Sequence, residues 1–117
     1  MSMLVARDGH VTVEPLGKVL ATDCAWVDLK GWDPDALKNV CEQLHISAEL
    51  PAGWEREPTR AAFASRGDLL ALVVFTPEGE NLRAVALMTG PNWMITMHAE
   101  AVPAVESVWQ DALPCDG

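Results

Sequence analysis

The apolar positions of this chain fall into short runs, most with the period of two of a β-strand and two with the 3.6 period of a helix. Residues 3–6 (MLVA) and 11–13 (VTV) flank Arg7-Asp8-Gly9-His10. Asp-Gly between apolar runs predicts a hairpin, because both residues tolerate positive φ. Pro15 and Gly17 then break the pattern. Residues 24–29 (CAWVDL) predict a strand, with Ala25, Val27 and Leu29 on one face and Trp26 and Asp28 on the other.

Asp33-Pro34-Asp35 is a helix start: Asp33 can accept from unpaired amides, and Pro34 suits the first helical position. Leu37, Val40, Cys41 and Leu44 follow as one apolar stripe, and the helix is expected to end near His45. Residues 46–58 hold two prolines, a glycine and Glu55-Arg56-Glu57, and predict an irregular connector with Trp54 folded back on the core. Four strand-length runs follow at 59–65, 69–75, 82–88 and 93–98, and the short breaks between them predict an antiparallel meander. Residues 69–75 (LLALVVF) are apolar throughout, as expected of a central strand covered on both faces. Pro103 opens a second predicted helix whose buried stripe is Val105, Val108, Trp109 and Ala112, with Pro114 and Gly117 at its end. The expected fold class is α/β: a mixed, largely antiparallel sheet packed by helices.

At 117 residues, of which 50% are hydrophobic, the chain predicts a single folded domain spanning 1–117. No run approaches the roughly 18 apolar residues of a membrane span, and MSMLVARDGH has no signal-peptide pattern, so a soluble, non-exported chain is expected. The net charge of −9, from 8 basic and 17 acidic residues, disfavours nucleic acid and anionic membranes as partners.

Candidate chemistry is thin. His10, His45 and His98 fall on different predicted elements and form neither H-x-H nor H-x-x-x-H. His45 near a helix C-terminus is favourable there without any chemical role. Cys24, Cys41 and Cys115 are odd in number and lack C-x-x-C spacing; Cys24 and Cys41 are expected in the core and Cys115 as a free thiol in a reducing cytosol. No serine stands in G-x-S-x-G, and no phosphate-binding glycine loop or EF-hand pattern occurs. Asp28, Asp33, Asp35, Glu78 and Glu80 read as solvated or capping carboxylates, and Trp26, Trp32, Trp54, Trp93 and Trp109 as packing material. No catalytic residue is assigned, and the chain is not expected to be an enzyme.

The order of several stretches is nonetheless distinctive. CAWVDLKGWDPDALKNVCEQLHIS resembles the segment of CorA-type magnesium transporters in which a Trp-Ile/Val-Asp-Leu strand precedes a helix and a Leu-Gly-Ile/Leu-His stretch. LLALVVF resembles the apolar strand that follows there, and VALMTGPNWMITMHAEAVPAVESVW resembles the strand, turn and L-[IV]-T-[VF]-[HR] strand leading into the next helix. The resemblance covers roughly residues 25–109. It implies a cytosolic N-terminal domain of a homopentameric channel, gated by divalent ions held between cytosolic domains, with stalk, membrane spans and the Gly-Met-Asn pore motif outside this chain.

The family often carries a Glu-Asp pair after the Leu-His stretch, followed by Arg-Pro-Lys. This chain has neither, and Pro58-Thr59-Arg60 only loosely echoes Pro-Lys, so no sensing residue is carried over; Glu49, Glu55 and Glu57 are the carboxylates at that place. The resemblance puts His98 at a strand end where the family takes His or Arg, which implies a polar tip at a sheet edge rather than a catalytic imidazole. The expectation for function is a regulatory and assembly domain, on the cytoplasmic side of a membrane protein, of a CorA-like transporter. Mg²⁺ or another divalent cation would be a weakly bound regulator, its metal ligands unassigned, and other copies of the chain its partners. The alternative is a stand-alone soluble domain that binds a protein partner through an exposed sheet edge or the Trp54 loop.

Overall fold

A computed structural model describes residues 2–7, 9–17, 22–46, 58 and 60–99. Among these residues the chain forms β1 (Ser2–Arg7), β2 (His10–Pro15), β3 (Cys24–Lys30), α1 (Pro34–Gln43), β4 (Ala62–Arg66), β5 (Leu69–Glu78), β6 (Asn81–Thr89) and β7 (Trp93–His98). The strands make one sheet in the order β2-β1-β3-β7-β6-β5-β4. Every neighbouring pair is antiparallel except β3 and β7, which run parallel.

The expected α/β fold packed by helices is therefore corrected to a mostly β fold, a mixed sheet with one ten-residue helix among the described residues. Strand pairing extends further than the apolar runs. β5 continues through Pro77 to Glu78, and β1 and β2 include the polar residues around their turn. Pro77 is tolerated because no described strand pairs with its side of β5 there: β4 begins at Ala62, opposite Val73. The second predicted helix and the 46–58 connector, apart from Ile46 and Pro58, lie outside the described residues. No described helix is long and apolar enough to cross a membrane.

Two-residue turns set the registers. Arg7↔His10, Arg66↔Leu69 and Glu78↔Asn81 close the three hairpins, and Gly9, Gly67 and Gly79 take φ of 78°, 60° and 60° at the turns. A glycine with positive φ at the first central position, as at Gly67 and Gly79, matches the right-handed twist of the flanking strands. The meander from β4 to β7 follows as the sequence predicts. β5 is not covered on both faces, however: Ala71 and Val73 are buried while Val74, facing the other way, is 40% exposed.

The helix packs one face of the sheet. Leu37, Val40, Cys41 and Leu44 join Val5, Val27, Leu29, Ala86 and Ile95 in one buried cluster. Removing side chains such as Leu37 and Val40 from water contributes about 1.5–3 kcal/mol each. Asp33 caps the helix by accepting from the amides of Asp35 at 3.0 Å and Ala36 at 3.3 Å. At the other end Ile46 N donates to Cys41 O and His45 N to Glu42 O, a Schellman arrangement that places His45 at φ 58°. The left-handed position costs a side-chain-bearing residue about 1–2 kcal/mol that glycine avoids. Replacing the exposed His45 with glycine is therefore expected to raise stability by about 1 kcal/mol, read as a higher midpoint in urea unfolding.

Candidate functional site

Among the residues that alternate away from α1 on β3 and β7, Trp26, Asp28, Thr96 and His98 form a hydrogen-bonded polar chain at the middle of the described sheet. The parallel register sets Trp26 beside Met94, Asp28 beside Thr96 and Lys30 beside His98. Asp28 and His98 are 70 residues apart in sequence and meet because each sits two positions beyond a neighbour on the same face of its strand.

His98 is fully buried. Its Nε2 lies 2.8 Å from Asp28 Oδ1 and 2.9 Å from Oδ2, and its Nδ1 lies 2.5 Å from the Ala99 carbonyl oxygen. A carbonyl only accepts, so Nδ1 carries a proton. An ionised carboxylate only accepts, so below the raised pKa of the ring Nε2 carries one as well and His98 is an imidazolium paired with Asp28. Burial pulls the imidazole pKa down, as does the charge of Lys30. The hydrogen bonds to Asp28 and Ala99 and the attraction of the carboxylate outweigh both, and the pKa stands above its ordinary 6.5.

The chain of bonds continues along the seam. Thr96 Oγ1 donates to Asp28 Oδ1 at 2.5 Å and accepts from Trp26 Nε1 at 2.9 Å. Just past the strand ends, Gly31 N donates to His98 O at 2.5 Å, with Gly31 at φ 105°. In a nucleophilic relay the imidazole would stand between hydroxyl and carboxylate. Here the hydroxyl proton goes to the carboxylate, and both ring nitrogens are committed. The constellation holds two strands together and leaves no base or nucleophile free to act.

At the opposite end of the same seam lies an open apolar groove of about 370 Å³, lined by Leu4, Ala6, Val11, Trp26 and Met94 with Cys24 beside them. Its rim includes the turn Gly90-Pro91-Asn92. Trp93 lies against Gly90 so closely that a Cβ there would overlap its indole. The lining residues carry no formal charge, so the groove can take up apolar surface, with the free thiol of Cys24 in its lining.

His10 and His45 are exposed, on β2 and beyond α1. His98, expected as a polar tip at a sheet edge, is instead buried at the sheet centre. Asp28, expected at the solvated surface, is its counter-ion, with 6% of its side chain exposed. Cys41 is buried, and burial pushes its thiol pKa up, whereas Cys24 is exposed rather than in the core. Glu49, Trp54, Glu55, Glu57, Trp109 and Cys115 lie outside the described residues. Sequence reasoning missed the Asp28–His98 pair. The available signal was a polar residue at the same parity in each of two otherwise apolar strands, a placement that demands a partner.

A second ion pair ties β1 to the start of β3. Arg7 Nε and Nη2 reach the buried Asp23 at 3.0 and 2.9 Å, and Arg7 Nη1 reaches Glu14 at 3.2 Å. Bonding to Asp23 leads the causes that raise the Arg7 pKa. Among the described residues, no group of three or more His, Cys, Asp or Glu side chains is placed to hold a metal ion. No protein-family model matches the chain, and no curated protein matches it.

The pair predicts a pH dependence with a definite sign. Because the folded-state pKa of His98 is raised, its stabilisation is fully present below pH 6.5 and is lost as pH rises through the folded-state value. Asp28→Asn removes the counter-charge and is expected to cost about 3–5 kcal/mol at neutral pH. In that variant the buried imidazole has to be neutral, so the His98 contribution reverses and stability falls on acidification instead. Urea midpoints of both proteins between pH 5.5 and 8.5 check magnitude and sign together.

Proposed function

We propose that this chain is the cytoplasmic regulatory and assembly domain of a CorA-like divalent-cation transporter, taking part in cation sensing and gating rather than conduction. What supports the reading is the order in which the family-like stretches lie on the fold. CAWVDLK forms β3, the following stretch holds α1, LLALVVF lies in β5 and WMITMH forms β7. The first and last of these stretches are neighbours in space, joined from Ala25–Trp93 to Lys30–His98. The reading rests on this order and not on fold class, which differs from the helix-packed one expected.

The described residues do not fit a dedicated Mg²⁺ site, since no cluster of three ligands is present among them. The reading therefore assigns no ligand set. The net charge of −9 supplies a general route: copies repel one another until cations accumulate between them. Mg²⁺ keeps most of its waters, so such contacts are weak and depend on carboxylates from more than one copy.

A second reading is a stand-alone interaction domain. The exposure of Phe63, 69% on the outermost strand β4, favours it. Titration with millimolar Mg²⁺ separates the two. The transporter reading expects a higher melting temperature or a larger mass by sedimentation than NaCl gives at matched ionic strength. Unchanged melting and mass overturn it and leave the interaction domain.

A further inference from the structure

The groove at the Cys24 end of the seam comes from a change of side-chain size across neighbouring strands. The registers set Val11 beside Ala6 and Ala6 beside Cys24. Two residues along the same face they set Leu4 beside Trp26 and Trp26 beside Met94. Ala6 and Cys24 are the small members and both are exposed, so they make an open floor. The larger side chains of Val11, Leu4, Trp26 and Met94 stand around that floor, and the turn Gly90-Pro91-Asn92 closes a further side.

Wall and rim are both held in place by the fold itself. Trp26 Nε1 donates to Thr96 Oγ1 at 2.9 Å, which anchors the indole to the seam. The Ala25 amide donates to the Asn92 carbonyl at 3.0 Å, which ties the turn to β3. A site fixed in this way is preformed, as small-molecule sites usually are.

Size and charge select the occupant. A stable protein interface engages roughly 20–30 residues a side. Here eleven residues line a space of about 370 Å³, which falls among small-molecule sites of roughly 300–1,000 Å³. None of the eleven carries a formal charge. An ionised ligand would give up its water there and meet no counter-charge. An anion would also be repelled by the net charge of −9. Trp26 and Met94 favour a ring, because an indole pairs with another aromatic and a thioether packs well against one.

We propose that this groove binds a small, uncharged aromatic molecule, held against Trp26 and Met94 with Ala6 and Cys24 beneath it. The site goes beyond the transporter reading and requires no cation.

The test is a fluorescence titration of the full chain in EDTA with N-phenylnaphthylamine, an uncharged aromatic probe whose emission rises in apolar surroundings. Saturable binding of one probe per chain is expected. At saturation Cys24 is expected to lose its reactivity toward N-ethylmaleimide, read by mass spectrometry of the peptide that contains it. Ala6→Leu fills the floor and Val11→Asp puts a charge in the wall; each is expected to weaken binding about tenfold or more. Leu82→Ser alters an exposed apolar side chain at the opposite end of the sheet and is expected to leave binding unchanged. Anilinonaphthalene sulfonate has the same ring system with a negative charge and is expected to bind about tenfold or more weakly than the neutral probe. Circular dichroism confirms that each variant is folded. No saturable binding to the wild type overturns the proposal and leaves the groove to a segment of a protein. Binding that the two groove variants do not weaken, that Leu82→Ser abolishes, or that leaves Cys24 reactive puts the probe elsewhere and overturns it too. Equal affinity for the sulfonate overturns the ligand class. Because EDTA is present throughout, failure here is separate from failure of the Mg²⁺ response.

Discussion

The parallel contact between β3 and β7 is the constraint on which the sheet depends. On one side of it lie β1, β2 and β3, a contiguous piece of chain closed by a hairpin; on the other lie β4 to β7, a contiguous meander. Remove that one contact and two smaller sheets remain, with the apolar cluster beneath α1 split between them. The buried imidazolium–carboxylate pair sits at this contact, with the hydroxyl and indole continuing the bonding along it. A buried pair is weak evidence for stability, since desolvation offsets much of its attraction. Its use is specification: only one register aligns His98, Asp28, Thr96 and Trp26 at once.

The helix depends on the same contact. Its apolar stripe needs a floor wider than either half supplies, and Val27 and Leu29 of one half lie beside Ile95 and Met97 of the other beneath it. The two faces of the seam thus do different things. One is apolar and receives α1; the other is polar at its centre and opens into the groove at its far end.

Much of the local structure was legible in the sequence, because it rests on local chemistry. Asp-Gly at 8–9, Gly-Asp at 67–68 and Gly-Glu at 79–80 are turn signals that act between adjacent residues. The cap at Asp33 and the stripe from Leu37 to Leu44 likewise depend on neighbours within one or two turns. What was not legible is what depends on residues far apart. Nothing near Asp28 announces His98, and nothing in the alternation of CAWVDLK says that its neighbour runs parallel. The fold class was misread for a related reason: polar strand ends such as His10 and Glu78 owe their conformation to a ladder partner and not to hydrophobicity. The exposure of Cys24 follows from its place at the first position of β3, on the face away from the helix.

The seam also fixes the order in which the molecule can assemble itself. The hairpins close through two-residue turns, and such structures form in about 1–10 μs. The seam brings together groups 70 residues apart, so the chain entropy of that long closure falls due before any of its bonds are made. Each half waits in the meantime with a second raw strand edge, β3 or β7, besides its outer edge, β2 or β4. The slow event in the life of a new chain is then a meeting of two preformed ribbons, and the buried ion pair is the lock that tells the right meeting from a slipped one.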